Sequence, residues 1–160
     1  MATTKKSNHV KGLIPTPTPV GKETITVFES MAIATTDIDL ADVMQFLILP
    51  AGCVPVSFTV GATDMDTGTA ILAADFGLLT AAETGVSAVA ADGGAKWLTA
   101  LALSGTAAIT LHTSTKAIYD IVKAVTASTV DRIVAFVVTT AATTAAAGTV
   151  TVEMSYKAAN

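Results

Sequence analysis

Residues 47–78 read LILPAGCVPVSFTVGATDMDTGTAILAADFGL, and this stretch decides the class of fold. An apolar run ends at the Pro-Ala-Gly turn of residues 50–52, and apolar side chains then alternate with others over residues 54–60. Such alternation places one set of side chains on each face of a β-strand. A polar loop, residues 63–68, precedes a third apolar run over residues 69–76. The order strand, turn, strand, loop, strand predicts a β-meander.

The rest of the chain adds further strand patterns. Residues 37–49 fit either a helix or a strand, and their length and the proline stop favour a strand. Residues 79–94 are alanine-rich and fit either a short helix or a long loop. The other predicted strands cover residues 23–36, 106–112, 118–125, 132–139 and 149–156. Seven or eight strands at such spacing predict an all-β fold, an antiparallel β-sandwich.

Composition predicts that part of the surface is covered by partners. The chain has 160 residues, of which 51% are hydrophobic and only 14% are charged. Soluble domains average about 25% charged residues. Because a large exposed apolar area marks an interface, we expect contact with other proteins. The length fits one domain, residues 23–160, preceded by an arm, residues 1–22.

The arm is basic and rich in proline, whereas the domain is acidic. Residues 1–22 carry four lysines and no acid, and the remainder has 5 basic and 13 acidic residues. The prolines favour an extended strap, and the charge favours docking on something acidic, a neighbouring copy included. A solvated tail is the alternative. The candidate partner-binding residues are Lys5, Lys6, Lys11, Pro15, Pro17 and Pro19.

No catalytic motif accompanies these patterns, so we expect a protein that is not an enzyme and needs no cofactor. The single cysteine, Cys53, excludes an intrachain disulfide. Asp64 and Asp66 in the sequence DMDTG are weak candidates for calcium ligands, but the other EF-hand ligands are missing. The simpler interpretation is a turn in which Asp and Gly serve the backbone. Trp97, the single tryptophan, is interpreted as a core anchor or an interface hot spot.

Targeting and partner signals are also limited. The N-terminus lacks an apolar signal region, and no uninterrupted apolar run is long enough to span a membrane. The acidic domain lacks the basic and aromatic residues that specific nucleic-acid binding requires. We therefore expect neither a membrane nor a specific nucleic acid as partner.

Several short segments resemble small virion proteins of tailed bacteriophages. The shared pattern is an apolar strand, Leu-Pro-Ala-Gly, a strand, an acidic glycine turn and a strand that ends in a short glycine-containing segment. The resemblance covers roughly residues 23–157. Its segments are residues 49–52, 64–72, 76–78, 131–134 and 147–150, with a closing strand that ends at Tyr156.

The resemblance implies a head decoration, or cement, protein with a β-sandwich or jelly-roll-like fold. Such proteins bind the major capsid protein on the outside of the head, often as homotrimers or homodimers, and are made in the host bacterial cytoplasm. Two alternatives stay open: another virion subunit (head fibre base, tail or head–tail connector), and a carbohydrate- or calcium-binding β-sandwich module.

Overall fold

The computed structural model describes residues 2–104, 110–113 and 116–159, and in them it places nine β-strands and one α-helix. The strands form two sheets with a shared apolar core between them. The elements are β1 (Thr4–Lys6), β2 (Thr24–Ile33), β3 (Val43–Leu49), β4 (Cys53–Ala62), β5 (Ala73–Leu78), β6 (Leu98–Ala102), β7 (Thr110–Thr113), α1 (Lys116–Lys123), β8 (Arg132–Thr140) and β9 (Gly148–Ala158).

Strand pairing follows the pattern of one long hairpin that has been rolled up. β2 pairs with β9, β3 with β8, β4 with β7 and β5 with β6, all antiparallel. The strands divide into the β9 sheet, in the order β2-β9-β4-β7, and the β8 sheet, in the order β1-β3-β8-β5-β6. Eight strands nested in two layers in this way form a jelly roll. The predicted antiparallel sandwich of jelly-roll type is therefore confirmed.

The predicted β-meander over residues 47–78 is wrong. β3 and β5 belong to the β8 sheet and β4 belongs to the β9 sheet, so these consecutive strands do not pair with each other. The turn of residues 50–52 instead carries the chain across the sandwich, with Gly52 at a φ of 73° that favours glycine. Alternation reports which face of a strand is buried, and it contains no information about which strand lies beside it.

The predicted strand over residues 118–125 is also wrong, because most of these residues form α1. Ile118, Ile121, Val122 and Val125 are spaced as on one face of a helix. Val122 and Val125 are buried in the core, and the two isoleucines pack against it. Among the described residues, no helix is long and apolar enough to cross a membrane.

The two ambiguous segments are resolved as a strand and a loop. Residues 37–49 contain the end of a 3-10 turn (Thr35–Asp37) and strand β3, so the strand interpretation is confirmed. Residues 79–94 form a long loop that lies over the outer face of the β8 sheet. Of the strand expected over residues 106–112, residues 106–109 lie outside the described residues, and residues 110–112 belong to β7. The small cluster under the loop contains Val43, Leu79, Val86, Ile133, Ala135 and Val137.

A row of aromatic rings joins the two sheets through the core. The ring centroids of Phe46 and Phe136 are 5.6 Å apart, those of Phe136 and Phe76 are 4.6 Å apart, and those of Phe76 and Phe58 are 5.1 Å apart. Trp97 stacks on Phe58 at 5.4 Å and is only 1% exposed. Since aromatic pairs stabilise beyond the area they bury, Trp97 is a core anchor in this chain.

Candidate functional site

The N-terminal lysines lie on the chain's own sandwich. β1 runs parallel to β3 at the edge of the β8 sheet, where Lys5 forms an ion pair with Asp37. The Nζ of Lys6 is 3.8 Å from Glu83 Oε2. Residues 4–6 are thus part of the sheet, which differs from an arm that is extended throughout residues 1–22. Lys11 is exposed and has no ionic partner among the described residues.

The C-terminal part of the proline-containing strap is attached to the sandwich. Pro15 and Pro17 are exposed and Pro19 is buried. The hydroxyl of Tyr156, on the inner face of β9, donates a hydrogen bond of 2.7 Å to the carbonyl oxygen of Pro17. Burial raises the pKa of Tyr156 to about 12, with a smaller contribution from Cys53. The tyrosine therefore stays protonated and able to donate this bond at neutral pH.

The Asp66 carboxylate organises the loop between β4 and β5. It is 1% exposed and accepts hydrogen bonds from the backbone N–H groups of Gly68, Ile71 and Leu72 in its own loop. It also accepts bonds from the backbone of Thr143 and Thr144 and from the Thr143 hydroxyl, at 2.9–3.1 Å. One carboxylate thus joins two loops that are distant in sequence.

These donors determine the ionisation of Asp66. Burial alone would raise its pKa, but the hydrogen bonds from Thr144, Thr143 and Ile71 outweigh this effect and lower the pKa well below the ordinary value. Asp64 accepts a hydrogen bond from the backbone of Asp66 at 3.0 Å. Both calcium candidates therefore serve the backbone of the turn. The described residues contain no group of three or more His, Cys, Asp or Glu residues that suits a metal ion.

The two sheets differ in what covers their outer faces. The loop of residues 79–94 covers the β8 sheet, whereas the outward side chains of β2 on the β9 sheet are all exposed. Phe28, in the middle of β2, is 58% exposed on this face. We define the outer face of β2, β9 and β4 as the Phe28 face.

Hydroxyl groups surround Phe28 and bond to one another across the strands. The Oγ atoms of Thr26 and Ser155 are 2.8 Å apart, and Thr151 donates to Ser30 at 3.2 Å. The charged side chains that β9 contributes to this face are Glu153 and Lys157. The sequence analysis did not identify Phe28, although its alternation with Val27 and its shared parity with the threonines of β2 indicate an outward position.

Comparison with solved structures identifies chains of similar fold. One belongs to the capsid of Ralstonia phage GP4, with a TM-score of 0.71 and 17% sequence identity, and the match covers 98% of this chain and 99% of that chain. Another belongs to the capsid asymmetric unit of cyanophage Pam1, with a TM-score of 0.57 and 18% identity, covering 91% and 92% of the two chains. No family model matches the sequence, and no curated protein matches it significantly. The similarity establishes a shared fold.

Proposed function

We propose that this chain is a structural, non-enzymatic protein of a bacteriophage virion, and that it decorates the outside of the head by binding the major capsid protein. The observation that carries the proposal is the fold shared, over nearly the full length of both chains, with a chain of a phage capsid. The short sequence segments that resemble phage virion proteins support the same function independently. Each copy contributes weak contacts that repetition on a symmetric shell multiplies.

The Phe28 face is the proposed contact with the capsid protein. An exposed aromatic ring among hydroxyl groups has the composition of an interface centre, where aromatic residues dominate the binding energy. The hydroxyls bond to one another, so covering them leaves few unsatisfied polar atoms. Lys11, free of an ionic partner among the described residues, remains the candidate of the arm for contact with an acidic neighbour.

Co-sedimentation with expanded, undecorated capsids tests the proposed function. Purified protein is mixed with capsids over a range of concentrations, and the bound copies per capsid are counted from stained gels. Saturation at hundreds of copies is expected for a decoration protein. Saturation at a dozen copies would instead identify a fibre base, tail or connector subunit, and the absence of binding would refute a capsid-bound role.

Two variants distinguish capsid binding through the Phe28 face from non-specific adhesion of exposed apolar side chains. Phe28→Ser removes the exposed ring, and Leu13→Ser removes an apolar side chain that is 71% exposed on the N-terminal segment. Since burying a Phe side chain contributes about 1.5–3 kcal/mol, Phe28→Ser should weaken capsid binding roughly 10- to 150-fold. Leu13→Ser is the matched control and should bind as the wild type does. Equal binding by both variants would exclude the Phe28 face.

A further inference from the structure

A groove of about 360 Å³ lies between α1 and the neighbouring ends of β4 and β9. Its apolar lining includes Val54, Val56 and Val125, and Tyr119 from α1 contributes a ring that is 46% exposed. The groove therefore offers an apolar surface wide enough for a side chain from another molecule.

Two lysines give the groove its charge. Lys123 and Lys157 both line it, both are exposed, and neither has an ionic partner among the described residues. Lys96, in contrast, is paired with Asp75 in the same domain. Residues 23–160 include 5 basic and 13 acidic residues. Two unpaired lysines side by side therefore make the groove a positively charged site on a domain of net negative charge. Their charge favours a carboxylate attached next to an apolar side chain.

The chain presents such a group on the loop between β2 and β3. Leu40 is 62% exposed, and its neighbour Asp39 is also exposed. The loop is held rigidly, because Ala41 N donates to Val138 O at 3.0 Å and Asp42 N donates to Asp39 O at 3.0 Å. Ala41 adopts a φ of 70°, which is unfavourable for a residue with a Cβ and is typical of functional loops. We call Asp39 and Leu40 the knob.

The knob and the groove lie at opposite ends of the sandwich. The knob directly precedes the start of β3, whereas the groove begins just beyond its end, after the turn of residues 50–52. The seven residues of β3 span about 20 Å. Because the loop is fixed to β8, the knob cannot reach the groove of its own chain, and the contact requires a second copy.

We propose that copies of this chain associate head to tail, with Leu40 of one copy in the groove of the next and Asp39 paired with Lys123 and Lys157 there. The two surfaces differ, so the contact is heterologous and repeats until the copies close into a ring. This inference goes beyond the proposed capsid binding and does not depend on it, since the contact needs only this chain.

Sedimentation velocity of the purified full chain over a concentration series tests the contact without capsids. The wild type should form oligomers larger than a dimer as its concentration rises. Leu40→Asp, which removes the knob, and the double variant Lys123→Glu/Lys157→Glu, which reverses the groove charge, should each associate at least tenfold more weakly. Leu13→Asp is the control for the knob, and Lys22→Glu, which reverses an exposed charge that does not line the groove, is the control for the groove; both should associate as the wild type does.

An equimolar mixture of the knob and groove variants gives the decisive result. One variant keeps its groove and the other keeps its knob, so the mixture should form a 1:1 heterodimer and nothing larger. A mixture that stays monomeric, or a wild type that stays monomeric throughout, would overturn the inference. Thermal melts of each variant by circular dichroism check the fold. These experiments contain no capsids, so a failure of the head-to-tail contact is distinguishable from a failure of capsid binding.

Discussion

Replacing Gly148 with alanine tests how tightly the β4–β5 loop packs against the start of β9. A Cβ at Gly148 would overlap the Cγ of Met65 and lie 2.5 Å from the Oγ1 of Thr63. Met65 is fully buried and belongs to the main core, so its side chain cannot move into solvent. The Thr63 hydroxyl accepts a hydrogen bond of 2.8 Å from the backbone of Thr149. The added methyl group therefore displaces both a core side chain and a hydrogen-bonded hydroxyl.

The two displacements set the size of the effect. Overpacking a core costs about 1–3 kcal/mol, and loss of the hydrogen bond between Thr63 and Thr149 costs about 0.5–1.5 kcal/mol. Gly148→Ala should therefore lower the free energy of unfolding by about 1.5–4.5 kcal/mol. For a chain of this length, the expected fall in melting temperature is roughly 3–18 °C.

Gly85→Ala is the matched control, because a Cβ there has no heavy atom within 4 Å and φ lies outside the left-handed region. That variant should be neutral or about 0.4–1 kcal/mol more stable than the wild type, since alanine restricts the unfolded chain. Urea unfolding followed by the fluorescence of buried Trp97 measures both variants. If Gly148→Ala unfolds at the same urea concentration as Gly85→Ala, the packing around Met65 is not as the structure describes it.

Three further perturbations address the attachments of the strap and loops. Tyr156→Phe removes the hydrogen bond to Pro17 and should cost about 0.5–1.5 kcal/mol in urea unfolding, with faster trypsin cleavage after Lys11; unchanged cleavage would argue against this attachment. Asp66→Asn should destabilise the protein at pH 7. Because the pKa of Asp66 is lower in the folded state, its stabilisation is complete above the unfolded value near pH 4 and is lost as the pH falls further, so the two proteins should converge in acid. A difference that persisted unchanged at pH 2.5 would contradict this role. Deletion of residues 2–9 should lower the melting temperature, since it removes β1 and the partner of Asp37, whereas an equally stable truncated chain would mean that the segment is dispensable for folding.

The class of fold could be predicted from the sequence because burial leaves a local record. The alternating residues 54–60 lie within β4, but a β-bulge between Pro55 and Ser57 leaves Val54 and Val56 half-buried beside the groove while Phe58 and Val60 enter the core. The pattern over residues 149–156 matches β9. Strand partners leave no such record, since β4 pairs with β9 across about a hundred residues of sequence. The meander was inferred because the three strands follow one another along the chain. In a jelly roll, by contrast, early strands pair with late strands. The four apolar residues in the region of α1 are spaced as on one face of a helix. The strand prediction was based on their apolar character and did not take this spacing into account.

The interpretation of the loops and the arm depended on contacts that sequence does not show. Asp66 is a calcium candidate by motif, but its oxygens accept bonds from Thr143 and Thr144, which no local pattern connects to it. Lys5 contributes to a basic arm by sequence, but in three dimensions it pairs with Asp37. Charge counted along the chain overstates the charge available to a partner, because ion pairs within the chain use part of it.

The low charge of the chain, which predicted an interface, is explained only in part by the packing within one copy. Much of the apolar and basic surface is already in contact within one copy, through the loop over the β8 sheet and through strand β1. Of the large apolar side chains that remain exposed, Phe28, Leu40 and Tyr119 lie on the proposed contacts, whereas Leu13, Ile14, Val20, Ile71, Val89 and Val130 lie elsewhere. Phe28 pairs with Glu153, four residues and about 13 Å along β9 from Lys157, which lies on the Phe28 face and also lines the groove, so the two proposed contacts adjoin at Lys157.

Because Phe28 does not line the groove and Leu40 does not lie on the Phe28 face, each contact should be removable by a substitution that leaves the other in place. Phe28→Ser should weaken capsid binding and leave the oligomers seen in sedimentation velocity unchanged. Leu40→Asp should weaken the association of copies at least tenfold, and the protein should still bind capsids through Phe28, but more weakly because the linkage between neighbouring copies is reduced. If Leu40→Asp bound capsids with undiminished affinity while remaining monomeric, the head-to-tail contact would not contribute to assembly on the shell. If Phe28→Ser lost the oligomers as well, the Phe28 face and the groove would belong to one interface between copies.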